Sequence, residues 1–283
     1  MRRAVNFANR LSINQYSVRQ LSLADFVAEC QKQEVPYVGL WRDKVLEAGG
    51  AIRARSLLED CGLKISSLCR GGFFSHENEA QRQKSIDENR RAIDEAAELG
   101  TQLLVLVCGG VTSAGLSASR GMVAAGIATL VPYATERGVK LGIEPLHPMF
   151  AADRSVVTTL AEAQDLASQF PAAVVGVVVD TYHVWWDPAL EREVVRAGHR
   201  ILGYHVSDWI APLPDVLNGR GLMGDGCIDF PTISRWIAQV GYTGPIEVEI
   251  FNQELWRLPG RVAVERIKER FLNCVPAQPL SDR

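Results

Sequence analysis

The stretch Val174-Val175-Gly176-Val177-Val178-Val179-Asp180 is a continuous apolar run that ends in a carboxylate. A β-branched run of this length is typical of a parallel strand that is buried on both faces of its sheet. The carboxylate at its end would lie at the rim of that sheet. Because an unpaired buried carboxylate is costly, Asp180 is predicted to have a functional partner, and a structural cap is the alternative.

Three other segments end in the same way. Glu144 follows the apolar residues 139–143, His205 follows residues 201–204, and Glu249 follows a run that begins at Pro245. Glu247 and Glu249 share one side of their strand, and the one nearer the carboxyl end is predicted to reach the rim. Three carboxylates and one imidazole are donors for one hard or borderline divalent cation, so the pattern predicts a metal site.

Strand and helix signals alternate along the whole chain, with room for a helix between successive strands. The strands are predicted to end near Asn14, Trp41, Cys69, Cys108, Glu144, Asp180, Ser207 and Ile250. The helices are predicted over residues 22–33, 52–61, 78–99, 119–137, 157–169, 188–197, 230–240 and 261–274. Eight such units predict an α/β fold, a (β/α)8 TIM barrel over residues 1–283 with its active site at the carboxyl ends of the strands.

A doubly wound open sheet is the competing fold. That fold usually carries a glycine-rich turn after its first strand, whereas Asn14-Gln15-Tyr16-Ser17 follows the first strand here. The chain shows neither a linker nor a strong internal repeat. One domain is therefore the prediction.

Composition narrows the range of functions. The 283 residues are 47% hydrophobic and 22% charged, with a net charge of −3, so nucleic acid is not an expected partner. No run approaches the about 20 apolar residues of a membrane-spanning helix, and the first residues open no signal-peptide core. Six scattered cysteines indicate reduced thiols and a cytoplasmic protein. A homodimer or a homotetramer is compatible with these features.

Five short motifs together carry a family resemblance. They are Ile143-Glu144-Pro145, Val179-Asp180-Thr181-Tyr182-His183, Tyr204-His205-Val206-Ser207-Asp208, Gly224-Asp225-Gly226-Cys227-Ile228-Asp229-Phe230, and Gly241-Tyr242-Thr243-Gly244-Pro245 with Glu249. In this order they resemble the sugar phosphate isomerase/epimerase superfamily, the xylose isomerase-like barrels that include ketose 3-epimerases, inosose dehydratases and hydroxypyruvate isomerases. The resemblance implies one divalent metal ion. Manganese is expected, and magnesium, cobalt or zinc are the alternatives. Its implied ligands are Glu144, Asp180, His205 and Glu249.

The same fold occurs in endonuclease IV, a DNA-repair enzyme with three zinc ions. That enzyme has additional metal-binding histidines after strands three, four and seven. The matching positions here read Cys69-Arg70, Cys108-Gly109-Gly110 and Asp225-Gly226-Cys227. A mononuclear site is therefore expected.

The resemblance also implies the chemistry. A small sugar, keto-sugar or cyclitol would lose a proton next to its carbonyl, with Glu144 and Glu249 as the acid/base pair of an isomerase or epimerase. An inosose-type dehydratase with the same metal site is the alternative. A carbohydrate-binding barrel without activity is the third possibility, although binding alone needs neither a cation nor two acids.

Several side chains are candidates for substrate contacts. His183 matches a family histidine that binds a substrate oxygen, and His147 lies just past Glu144. Ketose epimerases have an arginine where this chain has Ala211, and the possible substitutes are Arg220, Arg70, Arg42 and Arg154, each with a solvated or ion-paired rim position as the alternative. Trp41 and Trp209 belong to a group of aromatic residues at the loops, for which packing between loops or a subunit contact is one interpretation. The functional interpretation is a wall that stacks on a sugar or cyclitol ring, which favours an unphosphorylated carbohydrate, with a glycosylated aromatic compound as the alternative.

Overall fold

The computed structural model describes residues 7–275, and their central feature is a closed barrel of parallel strands. The barrel strands are β1 (Leu11–Asn14), β2 (Tyr37–Trp41), β3 (Lys64–Gly72), β4 (Leu103–Val107), β5 (Lys140–Ile143), β6 (Val175–Asp180), β7 (Ile201–Val206) and β10 (Ile246–Val248), and the short strands β8 (Asp208–Trp209) and β9 (Arg220–Gly221) lie outside the barrel. Around the barrel the strands follow the order β1-β10-β7-β6-β5-β4-β3-β2, so the first and last barrel strands pair and close it. The (β/α)8 prediction is confirmed.

The helices pack on the outside of the barrel and on the loops at its carboxyl end. They are α1 (Leu23–Lys32), α2 (Arg42–Glu47), α3 (Ala51–Asp60), α4 (Glu79–Leu99), α5 (Leu116–Arg137), α6 (Leu160–Ala167), α7 (Thr181–Val184), α8 (Leu190–Ala197), α9 (Phe230–Gln239), α10 (Gln253–Arg257) and α11 (Gly260–Cys274). Within residues 7–275, none of them is long and apolar enough to cross a membrane.

Local capping residues place several helix ends where the sequence predicts them. The Ser22 hydroxyl accepts a hydrogen bond from the Asp25 backbone N–H at 3.1 Å, and the Asn78 side chain accepts one from Gln81 at 2.9 Å. At the other end, Gly100 stops α4 in a left-handed conformation with φ of 80°. Side-chain chemistry therefore fixes these boundaries independently of the barrel.

Short elements in the loops at the carboxyl end differ from the predicted pattern. Helices α2, α7 and α10 follow β2, β6 and β10, and a hairpin of β8 (Asp208–Trp209) and β9 (Arg220–Gly221) follows β7. Elements of two to six residues have too few positions to show a hydrophobic period. The helix predicted over 157–169 is also shorter, because Thr159 caps it by accepting from the Glu162 N–H.

The barrel interior contains an apolar cluster and a polar cluster. Leu103, Val105, Val178 and Cys69 pack together in the apolar cluster. In the polar cluster the Glu247 carboxylate accepts hydrogen bonds from three side chains at 2.6–2.8 Å. The donors are Asn14, Ser66 and Ser67. A buried carboxylate is therefore held near the centre of the barrel.

Gly39 in β2 provides the space for this carboxylate. A Cβ at this position would lie 2.1 Å from the Glu247 Oε1 atom, so Gly39→Ala would force the carboxylate away from its donors. We expect this substitution to lower the free energy of unfolding by about 1–3 kcal/mol in urea denaturation. Gly121→Ala is the matched control, because nothing lies within 4 Å of its Cβ and a helix favours alanine. Equal stability of Gly39→Ala and the unsubstituted protein would contradict the expectation.

Candidate metal centre

Four side chains with metal-binding atoms meet at the carboxyl ends of neighbouring barrel strands. Glu144 follows β5, Asp180 ends β6, His205 lies in β7 and Glu249 follows β10. Each of the four is at most 5% exposed. One donor atom from each lies within 4.8 Å of those of the other three. The structure thus brings together the four residues that the sequence suggested as ligands.

The donor atoms fit a divalent cation. His205 Nδ1 lies 3.0 Å from Glu144 Oε1, yet neither atom has a partner with hydrogen-bond geometry among the described residues. Buried polar atoms normally have a partner, and a cation between these groups would supply one. Oxygen and imidazole donors suit manganese, magnesium, cobalt or zinc. The cluster therefore has the chemistry of a mononuclear metal site.

The buried carboxylates strongly influence one another. Burial raises the pKa of Glu249 to about 8, and it also raises the pKa of Glu144. Burial alone would lower the pKa of His205, but the surrounding carboxylates, Glu247 first, raise it to about 10. The cluster therefore retains protons when it has no metal. A metal ion has to displace these protons, since its ligands bind in their deprotonated forms.

Glu247 lies on the other side of the His205 ring. Its Oε2 atom is 3.8 Å from His205 Nε2, while His205 Nδ1 faces Glu144. A metal bound at Nδ1 would leave the Nε2–H group facing Glu247. At this distance the two groups form no hydrogen bond, so Glu247 acts on the imidazole through its negative charge. The sequence analysis placed Glu247 and Glu249 on one side of the strand but assigned Glu247 no role, because the position of His205 beside it depends on strand register.

Arg220 is a cation within the same buried cluster. Its Nη1 donates to Asp180 Oδ2 at 3.0 Å and to Glu249 Oε2 at 3.2 Å. The guanidinium also lies between two aromatic rings, 4.5 Å from the centre of Tyr182 and 4.8 Å from that of Phe251. Arg220 therefore holds two of the potential ligands in place and partly neutralises them.

The hairpin that carries Arg220 is anchored by Asp208. The Asp208 carboxylate accepts hydrogen bonds from the backbone N–H groups of Gly224, Gly226 and Ile228 at 2.8–3.1 Å. Asn252 donates to the Arg220 carbonyl oxygen at 2.8 Å. Asp208 and the glycines of the 224–230 motif thus maintain the loop conformation, which explains why they occur together.

His183 contributes to one wall of the site, and His147 contacts it. The His147 backbone N–H donates to His183 Nδ1 at 3.2 Å, and His183 Nε2 is 3.1 Å from the Arg220 Nη2 atom. Burial lowers the pKa of His183 to about 3, so its ring is neutral. The His147 ring itself packs against Trp209, with ring centres 4.8 Å apart. His147 therefore positions His183 through its backbone.

A cavity of about 240 Å³ opens above the cluster. Its lining includes Glu144, Glu249, His183, Arg220, Trp41 and Arg70. His147 and Trp209 are not among the residues that line it. Arg42 is one of the candidate substitutes for the family arginine missing at Ala211. It forms ion pairs with Glu88 and Glu95, which agrees with the alternative that it is an ion-paired rim residue. Arg220 reaches the centre of the site, and Ala211 is exposed.

Comparison with known proteins identifies the family. Residues 27–271 match the family described as "Xylose isomerase-like TIM barrel", and the chain belongs to this family. The proteins that the chain resembles include isomerases, epimerases and dehydratases. The resemblance inferred from the five motifs is confirmed.

Individual relatives differ in reaction. The chain is 29% identical to a 3-dehydroshikimate dehydratase of Pseudomonas putida. The match covers 77% of this chain but only 34% of the dehydratase. It is 26% identical to a ketose 3-epimerase of Arthrobacter globiformis, covering 71% of this chain and 68% of the epimerase. The solved structure of SMc04130 from Sinorhizobium meliloti 1021 is 45% identical, with a TM-score of 0.91 over 94% of this chain and 98% of that one.

One further solved structure concerns the metal. The IOLI protein, whose structure contains a zinc atom, superposes with a TM-score of 0.83 over 94% of this chain and 98% of that one. At 20% identity this likeness shows the shared fold. The chain also spans about a third of the length of the dehydratases that match it first.

Glu247→Gln tests the role of the second carboxylate at His205. We expect the Kd for Mn²⁺ in isothermal titration calorimetry to rise about 10–100-fold, because the substitution removes the negative charge beside the histidine. Glu193→Gln is the control, since this buried carboxylate pairs with Arg192 and Arg196 on α8, outside the barrel. Unchanged affinity in Glu247→Gln would show that His205 needs no such partner.

Proposed function

We propose that this protein is a divalent-metal-dependent isomerase or epimerase that acts on a sugar or keto-sugar. The reaction would begin with removal of a proton from the carbon next to a carbonyl. The observation that carries this proposal is the pair of buried glutamates, Glu144 and Glu249, which share one four-residue cluster and line the same cavity. Two carboxylates at one cavity match the two proton transfers that such a reaction needs.

The two glutamates approach the cavity from different parts of the barrel. Glu144 follows β5 and Glu249 follows β10, and β6 and β7 lie between these strands in the sheet. One glutamate would take the proton from carbon, and the other would return a proton to the opposite face or to the neighbouring carbon. A bound divalent ion, held by these glutamates with Asp180 and His205, supplies Lewis-acid polarisation of the substrate oxygens.

His183 and Arg220 are proposed to bind substrate oxygens beside the cluster. Both line the cavity, and both are buried, which excludes most competing water. The side chain of His183 is oriented by the His147 backbone, and that of Arg220 is fixed between Tyr182 and Phe251. Trp41 and Arg70 would contact the outer part of the substrate, while His147 and Trp209 would support this wall from behind.

A dehydratase is the second candidate, favoured by the identity to 3-dehydroshikimate dehydratases. It would use the same first step. After proton removal, the acid form of the second glutamate would donate its proton to a departing hydroxyl group, which leaves as water and gives a carbon–carbon double bond. A binding protein without activity would not need both glutamates, and the absence of bound metal in the purified protein would favour it.

Deuterium incorporation tests the proposed proton transfer. We expect the Mn²⁺-loaded protein in D2O to introduce deuterium into a keto-sugar, with D-fructose, D-tagatose and scyllo-inosose as neutral probes and 3-dehydroshikimate as the dehydratase probe. Recovery of a labelled isomer or epimer by NMR supports isomerisation. A product whose new carbon–carbon double bond absorbs ultraviolet light supports dehydration. If no probe acquires deuterium or reacts, the proposal is contradicted.

Substitution of one glutamate tests its assignment. We expect Glu249→Gln to lower the exchange rate per bound metal at least about 100-fold, because the amide cannot carry the proton. Metal content is measured in parallel so that loss of metal is separated from loss of the base. Glu254→Gln on the exposed surface of α10 is the control and should retain the rate. An unchanged rate in Glu249→Gln would remove this residue from the mechanism.

A further inference from the structure

Three arginines that line the cavity above the metal cluster, Arg19, Arg70 and Arg154, lack close carboxylate partners within residues 7–275, and Arg19 lies over the Tyr16 and Trp256 rings. Arg70 in β3 and Arg154 in the loop after β5 both line this cavity. Among residues 7–275, the Arg70 guanidinium has no hydrogen bond or ion pair. Arg154 has one weak contact, at 3.7 Å, with its exposed neighbour Asp153. In contrast, Arg42 and Arg220 each contact two carboxylates.

Aromatic rings orient the guanidinium groups of Arg70 and Arg154 without using their N–H donors. The Arg70 guanidinium carbon lies 4.3 Å from the centre of the Phe73 ring and 5.8 Å from that of Trp41. The Arg154 guanidinium lies 5.8 Å from the centre of Phe150. At 4.3 Å the Arg70 guanidinium lies over the Phe73 ring and keeps a fork of donors that matches a carboxylate or phosphate group, whereas the 5.8 Å separations are weaker cation–π contacts that also leave the donors free. Both groups are therefore prepared to donate hydrogen bonds.

The two arginines also repel each other. Burial is the main cause that lowers the pKa of Arg70, and the charge of Arg154 is the next. The opposing attraction of Asp43 is weaker, and Asp43 is too far away to form an ion pair. Two like charges at one half-buried cavity are unfavourable, and an anion between them would remove this cost. Ion pairing within the protein does not provide that anion.

We propose that the substrate carries an anionic group, a carboxylate or a phosphate, which Arg70 and Arg154 bind while its carbonyl end lies at the metal cluster. This inference rests on the proposed function, since it specifies the substrate class of the same site. The cavity is acidic at its floor, where Glu144 and Glu249 lie, and basic where the two arginines lie. A neutral sugar would leave the basic end without a counter-charge.

Calorimetry with matched probes tests the anion site directly. D-Fructuronate and D-fructose share a ketose core and differ at C6, where one has a carboxylate and the other a hydroxymethyl group. D-Fructose 6-phosphate distinguishes phosphate from carboxylate. With Mn²⁺-loaded protein we expect an anionic probe to bind at least about tenfold more tightly than D-fructose, the ratio that one charge-assisted hydrogen bond provides. Equal or weaker binding of both anionic probes, or binding of none of the three, would overturn the proposal.

Substitution of the arginines locates the effect. Arg70→Gln and Arg154→Gln should each lower the affinity for the preferred anionic probe about tenfold, and lower it clearly more than the affinity for D-fructose. Arg70→Lys should retain part of the preference, which separates charge from folding. Arg55→Gln is the control, because Arg55 pairs with Glu59 on the exposed surface of α3. A preference that survives both glutamine substitutions would place the anion elsewhere and refute the assignment.

Deuterium incorporation into the same probes separates this proposal from the proposed function. If D-fructose binds as well as both D-fructuronate and D-fructose 6-phosphate and exchanges deuterium at the same rate, the anion site is refuted and the metal-dependent activity stands. If D-fructuronate binds through Arg70 and Arg154 but no probe acquires deuterium, the anion site stands and the proposed activity fails. The two hypotheses therefore have different outcomes.

Discussion

The repulsion among buried carboxylates is the constraint on which the site depends. Glu144, Asp180, Glu247 and Glu249 are each at most 5% exposed, and they surround a single imidazole. Such a group is stable only when cations or hydrogen-bond donors compensate for the lost hydration. Arg220 compensates Asp180 and Glu249, Asn14 and two serines compensate Glu247, and a divalent ion would complete the compensation at Glu144 and His205. A divalent ion in place of the protons that the cluster retains would relieve the remaining repulsion.

The geometry of the barrel brings these charged residues close together. Parallel strands that pair in register deliver one residue each to the same rim, as the pairing of Asp180 with His205 illustrates. The surrounding interior is adapted as well, because Gly39 leaves room for Glu247. Apolar packing of Leu103, Val105 and Val178 fills another part of the interior. Potential binding residues and apolar core residues therefore share the interior of one closed barrel.

The sequence predicted the barrel and the four potential ligands because both follow from local patterns. A β-branched run that stops at Asp180 or Glu144 is visible without tertiary information, and residues such as Ser22 and Asn78 mark helix ends. The partner of His205 was not predictable, since Glu247 meets it only through the register of β10 on β7. The hairpin was missed for a similar reason, because two-residue strands carry no period.

Arg220 belongs to the β8–β9 hairpin and lies outside the barrel strands. The four potential ligands are fixed by the sheet and cannot move without disturbing it, whereas this guanidinium belongs to a hairpin whose connection, from Ile210 to Gly219, is largely exposed. Changes in the length or sequence of that connection could relocate a positive charge while the metal geometry stays intact. Variation in this one surface loop would thus alter which molecules the cavity accepts, while the four potential ligands beneath it keep their positions.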